Sequence, residues 1–246
     1  MTIAFLADIH ANREALEACL SHARAEGAKR FVFLGDYVGY GAEPEWVVER
    51  IMDEVARGAV ALLGNHDAAV TRTDGTMDVS TETAIEWTRG RLPASARAFL
   101  ATLPLTVDDG DRLYVHAEAA VPASWTYVMD SHDAIRSIES TTKRLTFTGH
   151  VHRPAIYNLS MTGKVTAFRP SPGVRVPLLV QRRWLSVIGS VGQPRDGDPA
   201  ACYALFDETT SDLAYFRVPY DVDAAARKIR EAGLPEPFAA RLALGR

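Results

Sequence analysis

Short apolar runs along the chain each end on polar residues of one kind. The runs at residues 3–7, 31–34, 59–63, 113–115 and 145–148 are followed at once by glycine, carboxylate, amide or imidazole. Between the first three, apolar residues recur at helical spacing: Ala15, Leu16, Cys19 and Leu20 predict a helix from Asn12, its N-cap, to about residue 26. Pro44 opens a second helix that runs to residue 56. Strand, helix, strand, helix, strand is the pattern of a parallel sheet. Two further helical segments, at 80–90 and 94–103, are separated by Leu92-Pro93 and make the stretch 68–103 an insertion expected to cap the site. Strands at 105–107 and 112–116 read as a hairpin around Asp108-Asp109-Gly110, followed by a helix at 132–140. Beyond Ile156 the pattern changes to short strands at 174–180, 184–188, 202–206 and 213–218, which predicts a second, antiparallel sheet packed on the first. Helices at 221–232 and 236–244 close the chain. No repeat, low-complexity tract or linker divides it, so one domain is expected over 1–246.

The polar residues at the run ends carry the chemistry. Asp8 and His10, Asp36, Asn65-His66-Asp67, His116, and His150 and His152 comprise three carboxylates, one amide and five of the seven histidines. A single histidine is more often structural than catalytic, but five unrelated coincidences at predicted strand ends are not a reasonable alternative. These five ends are expected to meet along one edge of a sheet. Asp8-x-His10 and His150-x-His152 place two donors each on one side of an extended segment. Mixed oxygen and imidazole donors without thiolate suit manganese, iron or zinc better than calcium or magnesium alone. Two cations fit if one carboxylate bridges them.

Composition narrows the setting. The 246 residues are 47% hydrophobic, enough for a real core, and the formal charge of -4 with no Lys/Arg block speaks against a nucleic acid polymer or an anionic membrane as partner. Cys19 and Cys202 are too few for a disulfide framework or a thiolate metal site. The amino terminus enters a strand within two residues and no run reaches membrane-spanning length, which predicts a soluble, cytoplasmic protein.

Asp8-x-His10, Gly35-Asp36, Gly64-Asn65-His66-Asp67, His116 and Gly149-His150-x-His152 together resemble the motif blocks of the calcineurin-like metallophosphoesterases, in that family's order and over about the first 150 residues. The stretch from Gly189 to Pro199 is similar to small bacterial members. The resemblance implies an α/β fold, a four-layer αββα sandwich of two packed mixed β-sheets flanked by helices. It implies one cation on Asp8, His10, Asp36 and His152 and another on Asp36, Asn65, His116 and His150, with Asp36 as the bridge. A hydroxide shared by the two cations would attack a small phosphomonoester or phosphodiester, a nucleotide among the candidates, and His66 would serve the leaving oxygen. Two other functions share the pattern: a metal-binding scaffold of the same fold with little turnover, and a phosphoprotein phosphatase.

The departures narrow this. Gly39 and Tyr40 stand where serine/threonine phosphatases carry aspartate and a phosphate-clamping arginine, and Asp67 stands where they have glutamate, which speaks against a phosphoprotein substrate. His116 is followed by Ala117-Glu118, which puts a charged side chain near the second cation. Tyr37, Tyr40, Trp125 and Tyr127 read as packing their own loops. Arg153 and Arg195 read as solvated or paired with a nearby acid, and His22 and His132 as surface or structural.

Overall fold

The computed structural model describes residues 1–71 and 79–246; the expected insertion at 68–103 therefore lies partly, at 72–78, outside the described residues. β1 (Thr2–Leu6) leads into α1 (Arg13–Ala25), whose first turn is capped by Asn12 Oδ1 accepting from the Ala15 N–H at 3.1 Å. β2 (Arg30–Phe33), α2 (Pro44–Ala56) and β3 (Val60–Ala61) follow, with Pro44 in the first turn of α2 as the pattern predicts. Asn65 opens a short helix, α3 (Asn65–Thr71), and α4 (Val79–Arg91) and α5 (Ala94–Thr102) complete the helical stretch. Val70, Ile85, Leu92, Ala96 and Leu100 of this stretch join the same apolar cluster as α1 and α2.

β4 (Thr106–Asp109) and β5 (Arg112–Val115) form the hairpin, with Asp109 facing Arg112, so the turn is Gly110-Asp111 rather than Asp108-Asp109-Gly110. α6 (Ser131–Glu139) and β6 (Leu145–Thr148) come next, then β7 (Ala155–Ser160), β8 (Val165–Phe168), β9 (Arg175–Pro177), β10 (Arg182–Val187), β11 (Ala201–Asp207) and β12 (Asp212–Val218). α7 (Val222–Glu231) and α8 (Glu236–Leu244) end the chain.

Among the described residues the strands form two mixed six-stranded sheets, in the orders β3-β2-β1-β11-β12-β9 and β4-β5-β6-β10-β7-β8. The four-layer expectation holds, but the division between sheets differs from the sequence reading. The late strands do not form a sheet of their own. β11 pairs antiparallel with the open edge of β1, and β10 runs parallel to β6, so the carboxyl-terminal strands complete both sheets. An unpaired edge next to β1 would leave a row of backbone donors and acceptors unsatisfied, and β11 removes it.

Strand alternation builds the layers. Ile3, Phe5 and Ala7 face the other sheet, where Phe5 stacks on Phe147 at 4.0 Å between ring centroids, while Ala4 and Leu6 face α1. Val128, Ala134 and Ile138 cover the outer face of the second sheet at Leu185 and Val187. With both faces covered, the strands must be apolar throughout, which is why they read as runs rather than as alternating patterns.

Candidate metal centre

Parallel β1, β2 and β3 of the first sheet and parallel β5 and β6 of the second end at one rim, so the polar residues meet across the two sheets rather than along one edge. The two rims are stitched together by the His150 N–H, which donates to both carboxylate oxygens of Asp8 at 3.0 and 2.9 Å, and by His116 Nδ1, which lies 2.7 Å from the Leu34 carbonyl.

The backbone does not stay extended where the donors begin. Asp8, His10, Asp36, His150 and His152 all take positive φ, five of the nine non-glycine residues that do so among those described. Each such setting costs about 1–3 kcal/mol and persists only where surrounding bonds over-determine it. Here the β1 and β2 loops supply those bonds, with Asp8, Ile9, His10 and Ala11 N–H groups donating to Gly35, Asp36, Asp36 and Tyr37 carbonyls at 2.7–3.1 Å. Each i, i+2 pair thus converges through left-handed turns, not through the period of a strand.

Asp8, His10, Asp36 and His152 form one group of donor atoms lying within 4.8 Å of one another, and Asp36, His116 and His150 form a second. Asp36 belongs to both. Asn65 Oδ1 lies 3.2 Å from His116 Nε2, which adds the amide to the second group. His10 Nε2 is 3.1 Å from His152 Nε2, and His116 Nε2 is 3.1 Å from His150 Nδ1. Ring nitrogens brought this close need something positive between them.

The far side of each ring explains the arrangement. His10 Nδ1 faces the Val38 carbonyl at 3.0 Å, His116 Nδ1 that of Leu34 at 2.7 Å, His152 Nδ1 that of Gln193 at 2.7 Å and His150 Nε2 that of Trp125 at 2.9 Å. A carbonyl only accepts, so the proton sits on the nitrogen that faces it and the lone pair of the neutral ring points into the cluster. Two carboxylates, four oriented imidazoles and an amide fit one or two divalent cations of borderline hardness.

Electrostatics divide the site. Burial keeps His10 and His152 neutral, and burial followed by the nearby His116 lowers His150 to about 3. Burial pushes Asp8 up to about 8. Burial also raises Asp36, but His116, His66 and His10 together hold it well below the usual carboxylate range. Asp36 in turn overcomes the burial of His116 and lifts it to about 9. In the cation-free site the Asp36–His116 pair is therefore the charged element, at 3.4 Å.

His66 stands beside the donors. Its backbone N–H donates to Asp36 Oδ1 at 2.9 Å, and its Nε2 is 4.0 Å from Asp36 Oδ2. A Cβ on Gly39 would come within 2.5 Å of His66 Nδ1, so the absence of a side chain there is what admits the ring. Gly64 is similarly constrained, since a Cβ would reach 2.2 Å from Asp36 Oδ1. Asp67 ties loops together. Its carboxylate accepts from the N–H groups of Asp36, Tyr37, Val38 and Gly64 at 2.8, 2.9, 3.3 and 3.0 Å, locking the β2 and β3 loops together. Glu118 is held by the Ala120 N–H at 2.9 Å and by Arg136 at 3.5 Å.

Residues 1–211 match the family model described as the calcineurin-like phosphoesterase superfamily domain. The chain belongs to this superfamily. An uncharacterised protein of Methanocaldococcus jannaschii is 34% identical over 252 residues, covering 99% of this chain and 98% of its own length. Among solved structures, a metallophosphoesterase of Sphaerobacter thermophilus is 33% identical with a TM-score of 0.87, each chain covered in full. A hypothetical protein of Pyrococcus horikoshii OT3, at 19% identity and a TM-score of 0.80 over 100% of this chain and 98% of that one, shares the fold.

Within this calcineurin-like phosphoesterase, four residues set aside in the sequence reading lie at or beside the cluster. The Tyr40 ring is 4.6 Å from both the His10 and the His66 rings and 4.9 Å from Phe238, linking α8 to the site. Arg195 lies against Tyr40, with its guanidinium carbon 5.7 Å from the ring centre. Tyr127 stacks on His150 at 4.0 Å, and Trp125 contributes its carbonyl to that imidazole. The only sequence signal for Arg195 was its place in the stretch from Gly189 to Pro199. No described helix is long and apolar enough to cross a membrane.

Proposed function

We propose that this protein hydrolyses a small phosphomonoester or phosphodiester with the help of two divalent cations, manganese, iron or zinc. One cation is held by Asp8, His10, Asp36 and His152, the other by Asp36, Asn65, His116 and His150. The observation that supports this most is the orientation of the four imidazoles: each gives one N–H to a backbone carbonyl and turns its other ring nitrogen inward. When bound, the cations supply an activated water molecule and neutralise charge on the phosphoryl oxygens.

The chain's own residues do the rest. Asp36, shared by both donor groups, sets their separation. His66 has its ring placed by the bond from its N–H to Asp36 and by the gap at Gly39, so that Nε2 holds a proton for the departing oxygen. Tyr40 packs against His66 and His10 and limits the room on that side of the cluster.

The test is a metal-reconstituted screen of p-nitrophenyl phosphate, bis(p-nitrophenyl) phosphate, cyclic nucleotides and dinucleoside polyphosphates. Turnover should require manganese or a similar cation, and His66→Ala should lower it by about 10²- to 10⁴-fold with cation content unchanged. Full cation loading without turnover of any ester would show a binding protein instead.

A further inference from the structure

Arg195 has the marks of a ligand-binding arginine rather than of a surface one. It lies in the loop between β10 and β11 and is only partly exposed. Among the described residues no carboxylate pairs with it, although neighbouring Asp196 and Asp198 both pair with Arg217. One terminal nitrogen donates to Gln193 Oε1 at 2.9 Å, and its buried Nε finds no acceptor among the described residues. A guanidinium carries five N–H donors, so most of its capacity is unspent.

Its position is fixed relative to the cation cluster. The Arg195 N–H donates to the His152 carbonyl at 3.1 Å, while the carbonyl of Gln193, two residues earlier, accepts from the His152 ring. The Gly192 N–H and the Ser190 hydroxyl both donate to the Asp8 carbonyl. The loop is thus tied to two of the candidate ligands, and the guanidinium rests over the Tyr40 ring, which itself touches His10 and His66. A permanent cation without an acid partner, next to a site built for two more, is unfavourable until an anion arrives.

We propose that Arg195 binds a non-bridging oxygen of the substrate's phosphoryl group and thereby favours phosphomonoesters over phosphodiesters. The proposal rests on the phosphoesterase reading of the cluster. A monoester carries three non-bridging phosphoryl oxygens and a diester two. The oxygens that face the cluster leave one over for the guanidinium only in the monoester, and a guanidinium is well suited to bind it. Tyr40 is the platform that keeps the guanidinium from swinging to solvent.

The test compares Arg195→Ala, Arg195→Lys and, as a charge control, Arg169→Ala, all loaded with manganese. Inorganic phosphate binding is measured by calorimetry, cation content by elemental analysis, and kcat/KM on p-nitrophenyl phosphate and bis(p-nitrophenyl) phosphate. Arg195→Ala is expected to weaken phosphate at least about tenfold and to lower the monoester-to-diester ratio of kcat/KM by about tenfold or more. Cation content should be unchanged, the lysine variant should recover part of the loss, and Arg169→Ala should match the wild type. Phosphate affinity and ratio within twofold of wild type would overturn the proposal. So would loss of cations, or an equal fall on both esters with no rescue by lysine, since either would make Arg195 a structural residue. A wild-type protein that turns over neither ester would instead overturn the phosphoesterase reading itself.

Discussion

Of the five carboxylates buried almost completely among the described residues, Glu54 and Asp36 are satisfied in opposite ways. Glu54, 2% exposed on α2, meets three guanidinium groups: Arg24, Arg50 and Arg57 approach its Oε1 at 2.6, 3.0 and 3.2 Å. Asp36, 1% exposed, meets imidazoles: His116, His10 and His66 approach its Oδ2 at 3.4, 3.8 and 4.0 Å. Guanidinium is charged at every ordinary pH, so the Glu54 cluster is electrically complete as folded. Around Asp36, burial keeps His10 neutral, while Asp36 drives His116 to hold a proton. The lone pairs of the neutral rings are turned toward a common centre, leaving a site whose charge must come from outside. A buried acid among arginines stabilises the fold; a buried acid among oriented imidazoles is suited to holding cations.

The sharpest way to break this contrast is Asp36→Asn. Both donor groups lose their shared oxygen anion, so on the proposed two-cation reading cation content should fall toward zero and turnover by about 10⁴-fold or more, while circular dichroism still reports the fold. Retention of two cations would remove the bridging role.

A smaller effect comes from pH. In the cation-free protein His116 keeps its proton up to about 9 and Asp8 up to about 8, whereas cation binding requires the first neutral and the second ionised. Cations must therefore displace both protons at neutral pH, and the apparent affinity should rise as pH climbs through 8 and level off above 9, by about tenfold per unit for each proton displaced. Calorimetry in buffers of different ionisation enthalpy counts those protons; an affinity flat between pH 7 and 9 would contradict the ion pair. The sign for folding is opposite. Both groups have folded values raised above their unfolded ones, so the stability they confer on the cation-free chain is lost as pH rises, for Asp8 between 3.8 and about 8 and for His116 between 6.5 and about 9.

Glu54→Gln should have the smallest effect on chemistry. Its arginines reach water, with side-chain exposures of 29–58%, so the loss should be about 1–3 kcal/mol, or roughly 2–4 °C in Tm per kcal/mol for a chain of this size. Loaded turnover should stay within about twofold. A loss of cation content in this variant would mean that the two clusters are coupled.

How much of this was legible in the chain differs from residue to residue. The helices over 13–25 and 44–56 were readable because their caps and apolar stripes are local. The donors were readable because imidazole, amide and carboxylate at the ends of buried runs have no good structural use. The role of Asp67 was not readable, because its partners are the backbone groups of a loop some thirty residues earlier. Arg195 was not readable either: a sequence does not say which arginines lack an acid, and the acids after it are taken by Arg217.

The succession of apolar runs along the chain and the polar residues that end them are thus properties of the sequence alone, since period, propensity and residue chemistry act over a few neighbours. The assignment of β9, β11 and β12 to the first sheet, the left-handed turns that aim Asp8, His10, Asp36, His150 and His152, and the pairing of each imidazole with one carbonyl belong to the tertiary structure. The physical reason is that these depend on edges to be closed and hydrogen bonds to be satisfied between segments far apart in sequence, and only a folded chain brings both partners together.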